Sequence, residues 1–117
     1  MATITSHVLN AVNGTHAGGV RVDCRRIDDD GRAEPVFGVE SGVDGRIAGT
    51  VDVDGADEGR VYELVFHAGE YFDREGFAEP ARIMPEVVFR LRLPDPEARY
   101  HVPVIVSPHG YSAWWSG

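Results

Sequence analysis

The run Tyr100-His101-Val102-Pro103-Val104-Ile105-Val106 constrains the fold of this chain more than any other stretch. Its second half is β-branched, and Ser107-Pro108 stops it. Strand geometry sends alternate side chains to opposite faces. Tyr100, Val102, Val104 and Val106 then make an apolar stripe for a core, and Arg99, His101, Pro103 and Ile105 face away from it. Comparable alternation recurs over residues 3–9, 20–27, 34–40, 46–53, 60–67 and 85–93. Between these runs stand turn signals: Asn13-Gly14, Gly18-Gly19, Asp28-Asp29-Asp30-Gly31, Ser41-Gly42-Val43-Asp44-Gly45 and a loop over 54–59. Over 68–76 the pattern changes. Tyr71 and Phe72 among charged neighbours predict one short helix, ended by Gly76. Residues 77–84 read as a loop and 111–115 as a last extended segment. Seven or eight short strands, punctuated about every 8–12 residues, predict an all-β antiparallel sandwich with one short helix.

At 117 residues, without repeats or a linker, the chain is expected to form one domain spanning 1–117. A lone cysteine, Cys24, rules out an internal disulfide and reads as a buried, inert thiol. The net charge of −8 argues against nucleic-acid or anionic-membrane partners, which need a basic patch. It leaves room for a small anionic ligand at a local arginine. No stretch reaches the roughly 20 apolar residues of a membrane span. The N-terminus has no basic segment followed by an apolar run, so a cytoplasmic protein is expected.

Tyr100-His101-Val102-Pro103-Val104-Ile105-Val106-Ser107-Pro108 followed by Gly110-Tyr111-Ser112 resembles the C-terminal signature of the transthyretin-like family, whose enzymes are 5-hydroxyisourate hydrolases. Ser6-His7-Val8-Leu9, Asp44-Gly45-Arg46, Tyr62-Glu63-Leu64-Val65-Phe66, Tyr71-Phe72 and Pro85-Glu86-Val87 match in order and spacing. The resemblance implies a prealbumin-like sandwich of eight strands with the helix after the fifth. It implies a homotetramer, a dimer of dimers with sites in the channel between them, a small-molecule substrate and no cofactor. The residues that set the enzymes apart from the thyroid-hormone carrier correspond here to His7, Arg46 and His101. The enzymes end in Tyr-Arg-Gly-Ser, whereas this chain ends in Trp114-Trp115-Ser116-Gly117. His7-Val8-Leu9-Asn10 stands where the enzymes have His-Val-Leu-Asp.

The chemistry of the three residues is consistent with that implication. Histidine takes and gives protons near neutral pH. Arginine offers a planar fork of donors to an oxyanion or a urea-like group. Together they suit addition of water to a carbonyl, with Arg46 where negative charge develops and the imidazoles moving protons, in an order the sequence leaves open. In the family this opens the ring of 5-hydroxyisourate and leaves a carboxylate. The altered tail keeps two other readings open: the same site acting on a different heterocyclic or carbonyl compound, and a non-catalytic carrier of a small ligand. Ser112, Trp114 and Trp115 are the candidate substrate-binding residues. Adjacent strand residues face opposite ways, so one indole can enter a core or interface while the other faces the site, leaving an interface plug, a reshaped pocket and a blocked channel as open readings. No metal is expected: the five histidines form neither a strand pair at i, i+2 nor a His-Glu-x-x-His helix, and His16, His67 and His109 read as loop, strand-edge and turn residues.

Overall fold

The fold is built on β1 (Ala2–Asn10), whose even-numbered residues from Ala2 to Asn10 all face the core. The computed structural model describes residues 1–53 and 59–117, so the loop expected over 54–59 lies outside the described residues except for Gly59. Next come β2 (Thr15–His16), β3 (Arg21–Ile27), β4 (Ala33–Glu40), β5 (Arg46–Val51) and β6 (Val61–Phe66). Helix α1 (Ala68–Arg74) follows, then β7 (Val87–Leu91), β8 (Arg99–His101), β9 (Val104–Ser107) and β10 (Gly110–Ala113). One sheet runs β10-β9-β1-β2, with β5 and β8 flanking the first half of β1; the other runs β4-β3-β6-β7. The expected all-β sandwich with one short helix is what the chain forms.

The expected strand over 99–106 divides into β8 and β9 at Val102-Pro103, because proline has no N–H to donate. Register is unbroken across the gap. Thr5 pairs with His101 and Val8 with Val104, while the Val102 N–H still donates to the Thr5 carbonyl at 2.8 Å. The Ser6 hydroxyl donates to the Val102 carbonyl. Both β8 and β9 pair with β1 in parallel, a departure from a wholly antiparallel sandwich; the other pairings are antiparallel. β2, only two residues long, accounts for the remaining extra segment.

Between the sheets lie Ile4, Val8, Val22, Leu64, Phe66, Val102 and Val104, with no exposed surface. Tyr100, Val102, Val104 and Val106 are buried, as the alternation predicts. Cys24 joins this core, and desolvation pushes its thiol up to about 12. Helix α1 contributes Tyr71 and Phe72 to the core. It closes at Gly76, whose φ of 92° lets the Phe77 N–H return to the Phe72 carbonyl. The buried Asn10 side chain donates to the Tyr71 hydroxyl at 3.0 Å. Removing that hydroxyl in Tyr71→Phe leaves a buried amide short of a partner. It is expected to cost about 1–3 kcal/mol in urea-induced unfolding; an unchanged midpoint would contradict the pairing. No helix among the described residues is long and apolar enough to cross a membrane.

Candidate active site on the outer face of the β1 sheet

Odd-numbered residues of β1 point away from the core, and the pairing of β1 decides what stands beside them. His7 lies opposite Arg46 of β5. Thr5 lies between Ala48 of β5 and His101 of β8. Thr3 lies between Thr50 and Arg99. Paired residues share a face, so His7, Arg46 and His101, far apart in sequence, come together on one surface. Thr5 and Ala48 are small, and a cleft of about 540 Å³ opens above them. Arg46, Arg99, Asp44 and His101 also line it.

Arg46 reaches this position through its turn. The Gly42 carbonyl accepts from the Gly45 N–H at 2.9 Å, and Asp44 Oδ1 accepts from the Arg46 N–H at 3.1 Å. Gly45 has φ 77°, and a Cβ there would meet the Val8 carbonyl oxygen at 2.4 Å. Only glycine lets this turn lie so close to β1.

Thr5 Oγ1 and His101 Nδ1 share a hydrogen bond at 2.9 Å. With Nδ1 engaged, proton exchange with a ligand falls to Nε2. Two guanidinium groups and one carboxylate make the cleft locally cationic in an acidic chain. Partial burial, then Arg46 and His16, hold the pKa of His7 below its ordinary value, against a hydrogen bond to the Asp44 backbone and the Asp44 charge. A lowered histidine pKa keeps the neutral, proton-accepting form to lower pH. His7 is therefore expected to titrate with a midpoint below 6.5 in a ¹⁵N-histidine NMR titration; a midpoint at or above 6.5 would contradict this arrangement.

The other candidates divide. Ser112, opposite Ile105 of β9, is on the same face but outside the cleft. After β10 the chain runs back along β8: the Trp114 N–H donates to the Pro103 carbonyl at 3.3 Å and the Ser116 N–H to the His101 carbonyl at 2.8 Å. Ser116 bridges His101, which puts Trp114, two residues earlier, on the face that carries His101. Trp115 is turned to the other side. It lines a separate cleft with Phe89, Leu91 and Tyr100, so it is not among the residues around His101. Strand alternation separates the two indoles, and the Ser116 bridge decides which one takes the site face.

His67, at the end of β6, contacts Asp23 at 2.8 Å, and His109, in the turn before β10, contacts Glu79 at 3.0 Å; neither lines the site cleft. His16 is not a loop residue. It sits in β2, with Nδ1 2.9 Å from His7 Nε2. Its place follows from the β1–β2 register, which its spacing from His7 does not reveal. Thr5 is likewise visible only once β1 and β8 are paired.

A histidine–arginine cleft on the outer sheet of a prealbumin-like sandwich defines the class to which this protein belongs. The profile of the HIUase/Transthyretin family matches residues 4–115, and the chain is a member of that family. It is 37% identical over 112 residues to 5-hydroxyisourate hydrolase 2 of Rhizobium meliloti, covering 95% of this chain and 92% of that protein. It is also 37% identical to the 5-hydroxyisourate hydrolase of Halalkalibacterium halodurans, covering 95% and 94% of the two chains. The structure of the Klebsiella pneumoniae 5-hydroxyisourate hydrolase superposes with a TM-score of 0.78 at 24% identity, covering both chains fully.

Proposed function

We propose that this chain is a cofactor-independent hydrolase that opens the cyclic amide of 5-hydroxyisourate to 2-oxo-4-hydroxy-4-carboxy-5-ureidoimidazoline, a step of purine breakdown. The observation that carries this reading is the meeting of His7, Arg46 and His101 on one small-residue face beside a cleft of about 540 Å³. The match to curated 5-hydroxyisourate hydrolases over nearly the whole chain supports the same substrate.

In the proposed reaction a water oxygen bonds to the ring carbonyl carbon. One imidazole takes the water proton, and negative charge develops on the carbonyl oxygen. Arg46, whose guanidinium has no ion-pair partner among the described residues, stabilises that charge. The C–N bond then breaks, the departing nitrogen takes a proton, and the new acid ionises to a carboxylate. His101 Nε2 is the ring nitrogen left for proton transfer, because Thr5 engages Nδ1. Both imidazoles stand within the same face, and each proton-transfer role is worth about 10²–10⁴-fold.

Assembly as a cytoplasmic homotetramer, a dimer of dimers, belongs to this proposal. The cleft is open on its outer side in one chain, and a second chain facing it would close the site to bulk solvent while leaving room for the reacting water. Exposed Trp114 on that face gives such a contact an apolar anchor. The proposal is tested by generating 5-hydroxyisourate in place with urate oxidase and following its ultraviolet decay. A decay accelerated in proportion to added protein is the expected result. Decay at the buffer rate would overturn the assignment and leave the divergent-substrate reading that the altered tail suggests.

A further inference from the structure

We infer that His16 is a positioning residue for His7, with the two imidazoles acting as a hydrogen-bonded pair that carries one shared proton, outside the cleft's lining residues but beside Arg46, which lines it. The inference rests on the hydrolase reading for its kinetic consequence and on the hairpin geometry for its structure. Asn13-Gly14 turns the chain so that Asn10 pairs with Thr15 and Leu9 with His16. His16 is then the diagonal neighbour of His7 on the outer face, a separation that long side chains bridge. The rings meet with Nε2 and Nδ1 2.9 Å apart, centroids 5.0 Å apart and planes tilted by 31°.

A hydrogen bond between two imidazole nitrogens needs one N–H and one lone pair. Neutral rings satisfy it, and so does a pair holding one extra proton. A second extra proton places two N–H groups head to head and breaks it. Arg46 of β5 stands opposite His7 and opposes added positive charge; Asp44 of the preceding turn favours it. His101 lies across β1 beside Thr5, and Arg99 one row further on beside Thr3, on the same face. The partnership therefore engages Nε2 of His7 and restricts its ring from the β2 side. From the β5 side His7 also has a hydrogen bond to the Asp44 backbone, so His16 holds the ring from one side and the turn before β5 holds it from the other.

The test compares the intact protein with His16→Ala and His16→Asn. The asparagine amide occupies nearly the position of the His16 Nδ1 and donates to His7 Nε2 without titrating. With ¹⁵N-labelled histidine, the His7 midpoint is expected to rise in both variants, because the charge of His16 is one of the influences that hold it below its ordinary value. Kinetically, His16→Ala should lower kcat about 10-fold with KM within about 2-fold, and His16→Asn should recover most of the loss. A His7 midpoint that is the same in the wild type and in both variants would overturn the pairing. Equal kcat for His16→Ala and His16→Asn would overturn the positioning role. The titration uses no substrate, so a failure of the hydrolase reading leaves it intact and is told apart from a failure of the pair.

Discussion

Replacing Arg46 by alanine is expected to lower kcat for 5-hydroxyisourate by about 10²–10³-fold, the range seen when one donor to a developing oxyanion is removed. KM should change far less, because the lost interaction strengthens as charge builds on the carbonyl oxygen rather than on binding. Arg46 begins β5 beside His7 and lines the cleft with His101, so its removal leaves Arg99 as the remaining cation of the cleft. Arg99 stands in the row of Thr3, one row beyond His101, and is a poor substitute. Arg46→Lys keeps the charge and loses the fork, and should recover only part of the rate. Steady-state kinetics on the three forms measures this. A loss confined to KM would assign Arg46 to binding alone.

Gly45→Ala is also expected to have a large effect, although residue 45 carries no chemistry. The backbone there has φ 77°, and the added methyl group would meet the Val8 carbonyl oxygen at 2.4 Å and His7 Cδ2 at 3.2 Å. The turn must move away from β1, and Arg46 moves with it. Strain of this kind costs about 1–3 kcal/mol, and misplacing a reacting group by about 1 Å can cost about 10²-fold in rate. Gly31→Ala separates the causes. Gly31 has φ 85°, but a methyl group added there would meet nothing within 4 Å, so that variant carries the backbone strain without the clash and far from the site. Urea unfolding should show both variants destabilised, and kinetics should show only Gly45→Ala strongly impaired. Full activity in Gly45→Ala would mean that the turn does not deliver Arg46.

Local pattern carries much of this architecture. The stripe Tyr100, Val102, Val104 and Val106 is buried because period-two alternation needs no knowledge of the partner strand. Helix α1 shows through the same logic: Tyr71 and Phe72 interrupt the alternation, and Gly76 marks the end. What the local pattern leaves out is register. That β1 lies parallel to β8 and β9 depends on the whole chain crossing back to its beginning, and so does the row His101–Thr5–Ala48. His7, Arg46 and His101 are legible through a family resemblance, not through spacing. His16 and Thr5 escape a sequence reading because each acquires its role from a strand neighbour. The altered tail shows the same division: alternation puts Trp114 and Trp115 on opposite faces, while the Ser116–His101 bridge assigns Trp114 to the site side.

The chain has a second histidine-lined cleft, of about 440 Å³, where His67 contacts Asp23 at 2.8 Å among Arg21, Glu70, Arg82 and Glu86. A histidine held by a carboxylate beside arginines is a chemically competent rival, and it belongs to the other sheet. The most direct measurement is therefore the initial rate of 5-hydroxyisourate decay for His101→Ala and His67→Ala at equal concentrations of folded protein. The outer face of the β1 sheet as the site predicts a loss of about 10²-fold or more for His101→Ala and a rate within about 2-fold of wild type for His67→Ala. The reverse pattern, with His101→Ala active and His67→Ala silent, would contradict it.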